Sequence, residues 1–250
     1  TRRSSDLSRL TKKAKIATRN AKICDLSAGL DGLMGGIYGI IILSHLKKER
    51  DTMTHPPMGK IILLNGAPRS GKSSIAAVIQ NTFPGIWINL GVDNYMKTIP
   101  QSLQPGIGLR PGGERPDMEP AIHLMYRALF ESMAAHSRLE LNVVADLGLH
   151  AMYARNMDPL DLCAQALGGL DVLLVGVSCP IETVMERRIA TWGKGYEADG
   201  SVPAPVMRWQ RAVHAGRIYD LELDTGSSTP EQCAQAILER MAAPHGALFH

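Results

Sequence analysis

Residues Lys60 to His250 predict an α/β domain in which a mostly parallel sheet is covered by helices on both faces. Three observations carry that expectation. Short β-branched, apolar runs alternate with amphipathic stretches of helical period. One of these runs, Val172–Val177, is apolar almost throughout, as a strand buried on both faces is. The first run leads through a glycine-bounded loop directly into a helical stretch. At 250 residues the chain is long enough for one well-buried domain of this kind.

Ile61–Leu64 is the first expected strand, Ser73–Phe83 the helix after it, and Ile86–Leu90 the second strand. After a loop rich in Pro and Gly, Pro120–Ser137 is expected as a long helix, because Ile122, Met125, Leu129 and Met133 recur on one face. Leu141–Ala145 is the third strand, Pro159–Leu167 a short helix and Val172–Val177 the fourth strand. Pro180–Ala190 is a helix with proline at its start, and Leu221–Leu223 a last short strand. Thr229 caps a final helix reaching Ala242, with Pro230 at its first position and Gln232 placed for a capping box. In open sheets of this class ligands bind beyond the carboxyl ends of the strands. Polar residues there are the candidates for chemistry.

The first such place holds Gly66-Ala67-Pro68-Arg69-Ser70-Gly71-Lys72-Ser73, a full G-x-x-x-x-G-K-S sequence between a strand and a helix, with Ser74 next in line. Two glycines permit a tight backbone path whose amides point at phosphate oxygens, and the helix start adds its positive end. Lys72 would supply charge to the β- and γ-phosphates, and Ser73 a hydroxyl for Mg²⁺. The expected class is therefore a P-loop kinase-like, three-layer α/β fold that binds ATP and Mg²⁺. A surface Gly-Lys-Ser turn would leave the strand and helix on either side unexplained.

Two acids stand on the same edge. Asp93 follows the second strand in Gly91-Val92-Asp93, and Asp146 ends the third in Val143-Val144-Ala145-Asp146. Phosphoryl transfer needs a carboxylate that accepts the acceptor's hydroxyl proton, and a metal shell. Asp93 is the expected base and Asp146 the expected metal-side acid; the two roles are exchangeable, and a loop or helix cap is the plain alternative for each. Glu186-Arg187-Arg188 with Thr191–Pro203 has the character of a closing lid. Arg187, Arg188 and Lys194 are its candidate phosphate ligands, with Arg69 inside the loop, whereas Arg208 and Arg211 are expected to be solvated.

Together these residues resemble the chloramphenicol phosphotransferases from about Lys60 to the last helix. The likeness rests on the phosphate loop, on Gly91-Val92-Asp93 with Pro100, and on Val175-Gly176-Val177 with Cys179. Its most specific part is Val213-His214-x-Gly216 running to Tyr219-Asp220-x-Glu222-x-Asp224-Thr225. The resemblance implies a P-loop kinase-like domain that uses ATP to phosphorylate a primary hydroxyl of an antibiotic, with the family's catalytic aspartate at Asp93. The family's acidic pair matches only at Asp146, since Ala145 precedes it; its arginine-rich lid persists at Arg188, and its later arginines are replaced around Trp192, Gly193 and Lys194. The stretch Gln101–Met118 has no counterpart, so the acceptor stays open between an antibiotic and a nucleotide sugar or central metabolite. A regulatory ATPase without an acceptor is a further alternative, against which Asp93 and the lid argue.

The formal net charge of +3 is unevenly spread. Residues 1–52 hold eleven Lys or Arg against five Asp or Glu, a net of +6, so the remainder nets −3. A mildly acidic domain without a basic aromatic surface argues against nucleic acid as partner. The extension at 1–52 is expected to be disordered or absent from the natural protein, which would begin at Met53 or Met58; 53–250 is the kinase-like domain. The apolar run Leu30–Leu43 is too short to span a bilayer and broken by glycines, so no membrane partner is expected. Cys24, Cys163, Cys179 and Cys233 form no C-x-x-C pair, which points to buried, reduced thiols in a cytoplasm. The expected partner is a small hydroxylated acceptor, and a homo-oligomer is compatible with the composition.

Overall fold

In the computed structural model, which describes residues 58–193 and 195–250, the apolar runs pair side by side as one parallel sheet. The readings made on residues 1–52 and on Lys194 lie outside the described residues. The strands are β1 (Ile61–Asn65), β2 (Trp87–Asn89), β3 (Asn142–Leu147), β4 (Val172–Ser178) and β5 (Leu221–Asp224), in the order β2-β3-β1-β4-β5. β1 is the middle strand, and all of its residues are buried.

Seven α-helices accompany them among the described residues: α1 (Lys72–Thr82), α2 (Val92–Met96), α3 (Glu119–Arg138), α4 (Pro159–Leu167), α5 (Ile181–Trp192), α6 (Ala204–Ala212) and α7 (Pro230–Met241). Because strand side chains alternate between faces, the sheet feeds two cores. Ile61, Leu63, Val143, Ala145 and Leu174 point toward α3 and α4, where Tyr126, Phe130 and Cys163 are buried. Ile62, Leu64, Val144, Leu173 and Val175 point the other way, onto Ile75 and Ile79 of α1 and Cys233 and Ile237 of α7. The result is the expected three-layer α/β arrangement. The capping box at Thr229 and Gln232 forms as read, with Pro230 in the first turn.

Some boundaries differ from the expectation. β3 runs on to Leu147, so Asp146 lies inside the strand; the pairing of Asn65 with Leu147 holds the extra residues in the sheet. β2 is shorter than read, because the chain leaves it at Leu90 and Gly91 to enter α2. α6 was not expected: it starts after Pro203, carries Pro205 in its first turn, and buries Ala212. Arg208 on it is paired with Glu114 at 2.9 Å rather than fully solvated.

The ring of Phe130 stacks on Tyr126 at 5.7 Å between centroids, and both are fully buried. Phe130→Ala is expected to lower unfolding free energy by about 3–5 kcal/mol, read from denaturant midpoints. A loss under about 1 kcal/mol would mean that this layer does not carry the core.

Candidate active site

β1 ends at Asn65, and the way this buried side chain is satisfied shapes everything beyond it. Its Oδ1 accepts from the Leu149 amide at 2.7 Å, while Nδ2 donates to the Val213 carbonyl at 3.1 Å and to the Tyr219 hydroxyl at 2.9 Å. One residue thereby ties the ends of β1 and β3 to the segment before β5. Gly66 then turns the chain, its amide donating to the Leu147 carbonyl at 3.2 Å. A Cβ here would stand 2.3 Å from the Val177 carbonyl oxygen, so no other residue fits. Arg69 and Gly71 take left-handed φ of 68° and 92°, which wraps the loop around its own amides. The Ser70 carbonyl is held by the Thr225 hydroxyl at 2.7 Å. α1 opens at Gly71, whose carbonyl receives the amides of Ser74 and Ile75 at 3.1 and 3.2 Å.

Lys72 is buried and folds back over the loop, donating to the Ala67 carbonyl at 2.8 Å with Ser70 Oγ at 3.5 Å. Its ammonium also stands 3.4 Å from the Asp146 carboxylate. Burial pushes the Lys72 pKa down, while Asp146 and then Asp93 push it back up. The hydroxyl of Ser73 donates to the other oxygen of Asp146. Lys72, Ser73 and Asp146 thus form one cluster at the carboxyl end of the sheet. Ser73, Ser74 and Asp93 are exposed to the cavity above it, Asp93 from the first turn of α2.

That cavity has a volume of about 670 Å³. Pro68, Arg69, Gly71 and Thr225 border its phosphate-loop side; Val92, Ile107, Leu147 and Trp209 give it an apolar far side. Arg187 lines it as well, and its guanidinium is fixed by the carbonyls of Arg69 at 3.1 Å and Thr225 at 2.9 Å. Arg188 does not line this cavity; it borders an adjoining one, across the indole of Trp192. Lys194 lies outside the described residues. His214 is half-buried, with Nδ1 at 2.9 Å from the Tyr219 hydroxyl.

Residues that sequence reading passed over hold the far side in place. The Tyr126 hydroxyl donates to the Ile107 carbonyl at 3.0 Å. Glu119 is buried and accepts from the Ala154 and Arg155 amides at 2.7 and 2.9 Å. His150 stacks on Tyr153 at 4.5 Å and meets the edge of Trp209 at 5.2 Å. Asn65 had one visible sign, a polar residue closing an apolar strand just before Gly66. Tyr126, Glu119, His150 and Trp209 had none, because their partners are distant in the chain.

Residues 59–242 match the family model of the chloramphenicol phosphotransferase-like proteins. A Mycobacterium tuberculosis protein, provisionally named an O-phosphotransferase in two strains, is 27% identical over 225 residues. That match covers 79% of this chain and 89% of the relative. The fold is similar to that of the Mycobacterium tuberculosis APS kinase solved in complex with AMPPNP and APS, with a TM-score of 0.54 at 17% identity. The superposition covers 75% of this chain and 100% of the other. The tunicamycin resistance protein of Deinococcus radiodurans gives a TM-score of 0.50 at 17% identity, over 74% and 97% of the two chains. At such identities the structural likeness shows the fold.

His150 supplies a test of how the far wall is held. Its Nδ1 accepts from the Met152 amide at 3.2 Å, so Nε2 carries the proton and donates to the Leu109 carbonyl at 3.0 Å. A second proton would set Nδ1–H against the Met152 N–H, and burial in any case lowers the pKa from 6.5. The unfolded chain then binds protons before the folded one, so stability falls as pH drops from about 7 to 5. His150→Phe should flatten that slope, leaving the share of His214, whose pKa burial also lowers. An unchanged slope of melting temperature against pH would show that His150 is not held neutral.

Proposed function

We propose that this chain, which belongs to the chloramphenicol phosphotransferase-like protein family, is an ATP- and Mg²⁺-dependent kinase that moves the γ-phosphoryl group to a hydroxyl of a small molecule. The family and the P-loop kinase fold supply the coarse reading, a phosphotransferase. The observation that carries the finer one is the cluster of Lys72, Ser73 and Asp146 under a cavity that Asp93 also borders.

The donor set fits the group it would hold. Ser73 and Asp146 offer hard oxygen donors side by side. Among the described residues no cage of three or more His, Cys, Asp or Glu occurs, and Mg²⁺ characteristically takes one or two carboxylates with substrate phosphates and water. Ser73 and Asp146 would hold the ion, which would neutralise phosphate charge when bound. The amides of Arg69, Gly71, Lys72 and Ser73 cradle the phosphates, and Lys72 leaves the Ala67 carbonyl to meet them. Arg187 adds a fixed positive charge at the rim, beside Arg69. Asp93 takes the acceptor's hydroxyl proton as the oxygen–phosphorus bond forms and the bond to the departing ADP breaks.

Chloramphenicol or a related antibiotic is the acceptor to which the family's name points. The apolar far side, with Ile107 and Trp209, supports an acceptor that has a planar or hydrophobic part. The working unit in this proposal is residues 53–250, acting in the cytoplasm; no helix among the described residues is long and apolar enough to cross a membrane.

Asp93→Asn keeps the size of the side chain and removes its capacity to take a proton. ATP affinity should stay within about twofold, while kcat for transfer falls by about 10²–10⁴. A structural cap would instead cost about 1 kcal/mol of stability at normal kcat. Melting temperature, nucleotide affinity and kcat on one preparation separate the outcomes, and normal kcat removes Asp93 from the catalytic set.

A further inference from the structure

The second cavity, of about 280 Å³, shares Pro68, Arg69, Gly108, Trp192 and Trp209 with the first. What it adds is cationic. Arg110, Arg188 and Gln210 line it, Arg69 stands at the shared wall, and no aspartate or glutamate is among its lining residues. None of these three arginines belongs to an ion pair among the described residues. The guanidiniums of Arg69 and Arg188 both lie over the indole of Trp192, at 4.0 and 4.8 Å, so two like charges are gathered around one ring.

Behind this wall, Arg188 Nε and the Gln210 side-chain amide nitrogen are buried and have no hydrogen-bond partner among the described residues. Guanidiniums gathered on one wall with no acid beside them leave their charge uncompensated, and a bound anion supplies the compensation through charge-assisted hydrogen bonds. Gly71, Lys72 and Ser73 line the first cavity and not the second.

We propose that the second cavity is an anion subsite for the acceptor. The molecule phosphorylated carries, besides its hydroxyl, a carboxylate, sulfate or phosphate ester that Arg110, Arg188 and Gln210 hold. The shared wall lets one small molecule place its anionic end there and its hydroxyl toward Asp93, with Trp209 bordering both parts. An acceptor of that charge differs in class from the neutral antibiotic of the family's name. The inference rests on reading the first cavity as the phosphotransfer site.

Sulfate titration by calorimetry tests it, with and without saturating AMPPNP and Mg²⁺, on wild type, R110Q and Q210L. AMPPNP displaces any sulfate held by the phosphate loop, so the titration with nucleotide reads the second cavity. Sulfate should still bind, about tenfold more weakly in each variant, while AMPPNP affinity stays within about twofold. Arg110 is exposed, so R110Q leaves the core untouched. Loss of sulfate binding once AMPPNP is present, or affinities unchanged in both variants, would overturn the subsite. Should AMPPNP itself fail to bind, the phosphotransfer reading falls separately, and the effect of R110Q on sulfate without nucleotide still decides the subsite.

Discussion

Leu64 of β1 pairs with Asp146 of β3, and Asn65 with Leu147. That register sets how far β3 rises beside the phosphate loop, and therefore whether a carboxylate can stand next to Lys72 and Ser73. In a strand, a slip of one residue exchanges the two faces. Asp146 would then change faces, away from the loop, and Val144 would leave the core it shares with Ile75 and Ile79. Apolar packing on both faces of the sheet thus enforces the placement of one charged group. The ion pair itself contributes little to that enforcement, because removing Lys72 from water costs more than the pair returns, as its lowered pKa indicates.

Around this register the loops are held by buried and half-buried polar groups that each bind main chain far away in sequence. Asn65 fixes the segments at Leu149 and Val213, Thr225 holds the Ser70 carbonyl, and Arg187 joins the phosphate loop to the residue after β5. On the opposite side Glu119, Tyr126 and His150 pin the loop backbone at Ala154, Ile107 and Leu109. A site built in this way is preorganised: its loops are irregular, yet their backbone groups are partnered at many points. The two cavities inherit that rigidity through Trp209, which packs on His150 and borders both.

Much of this was legible in the sequence, for local reasons. The phosphate loop announces itself because glycine spacing, lysine and the following helix are adjacent in the chain. The strands are legible because burial on both faces demands unbroken apolar runs, and the last helix because its capping box spans only Thr229 to Gln232. α2 is a single turn and a half, too short for any periodicity to show. α6 hides behind prolines at Pro203 and Pro205 that read as loop, although proline is at home in a first turn. The direction of Arg188 is likewise invisible: neighbours in sequence on a helix point about 100° apart, so Arg187 and Arg188 serve different cavities. The second cavity depends on residues from three separate segments, and no local pattern brings Arg110, Arg188 and Gln210 together.

The most direct measurement of the central claim is a double-mutant cycle on Ser73→Ala and Asp146→Asn, read as AMPPNP affinity with and without Mg²⁺. If the two side chains form one metal-side cluster, their losses are coupled by about 1–3 kcal/mol in the presence of Mg²⁺, and both losses shrink when the ion is withheld. Additive losses that are the same with and without Mg²⁺ would contradict the account, leaving Asp146 as a residue that only braces the phosphate loop.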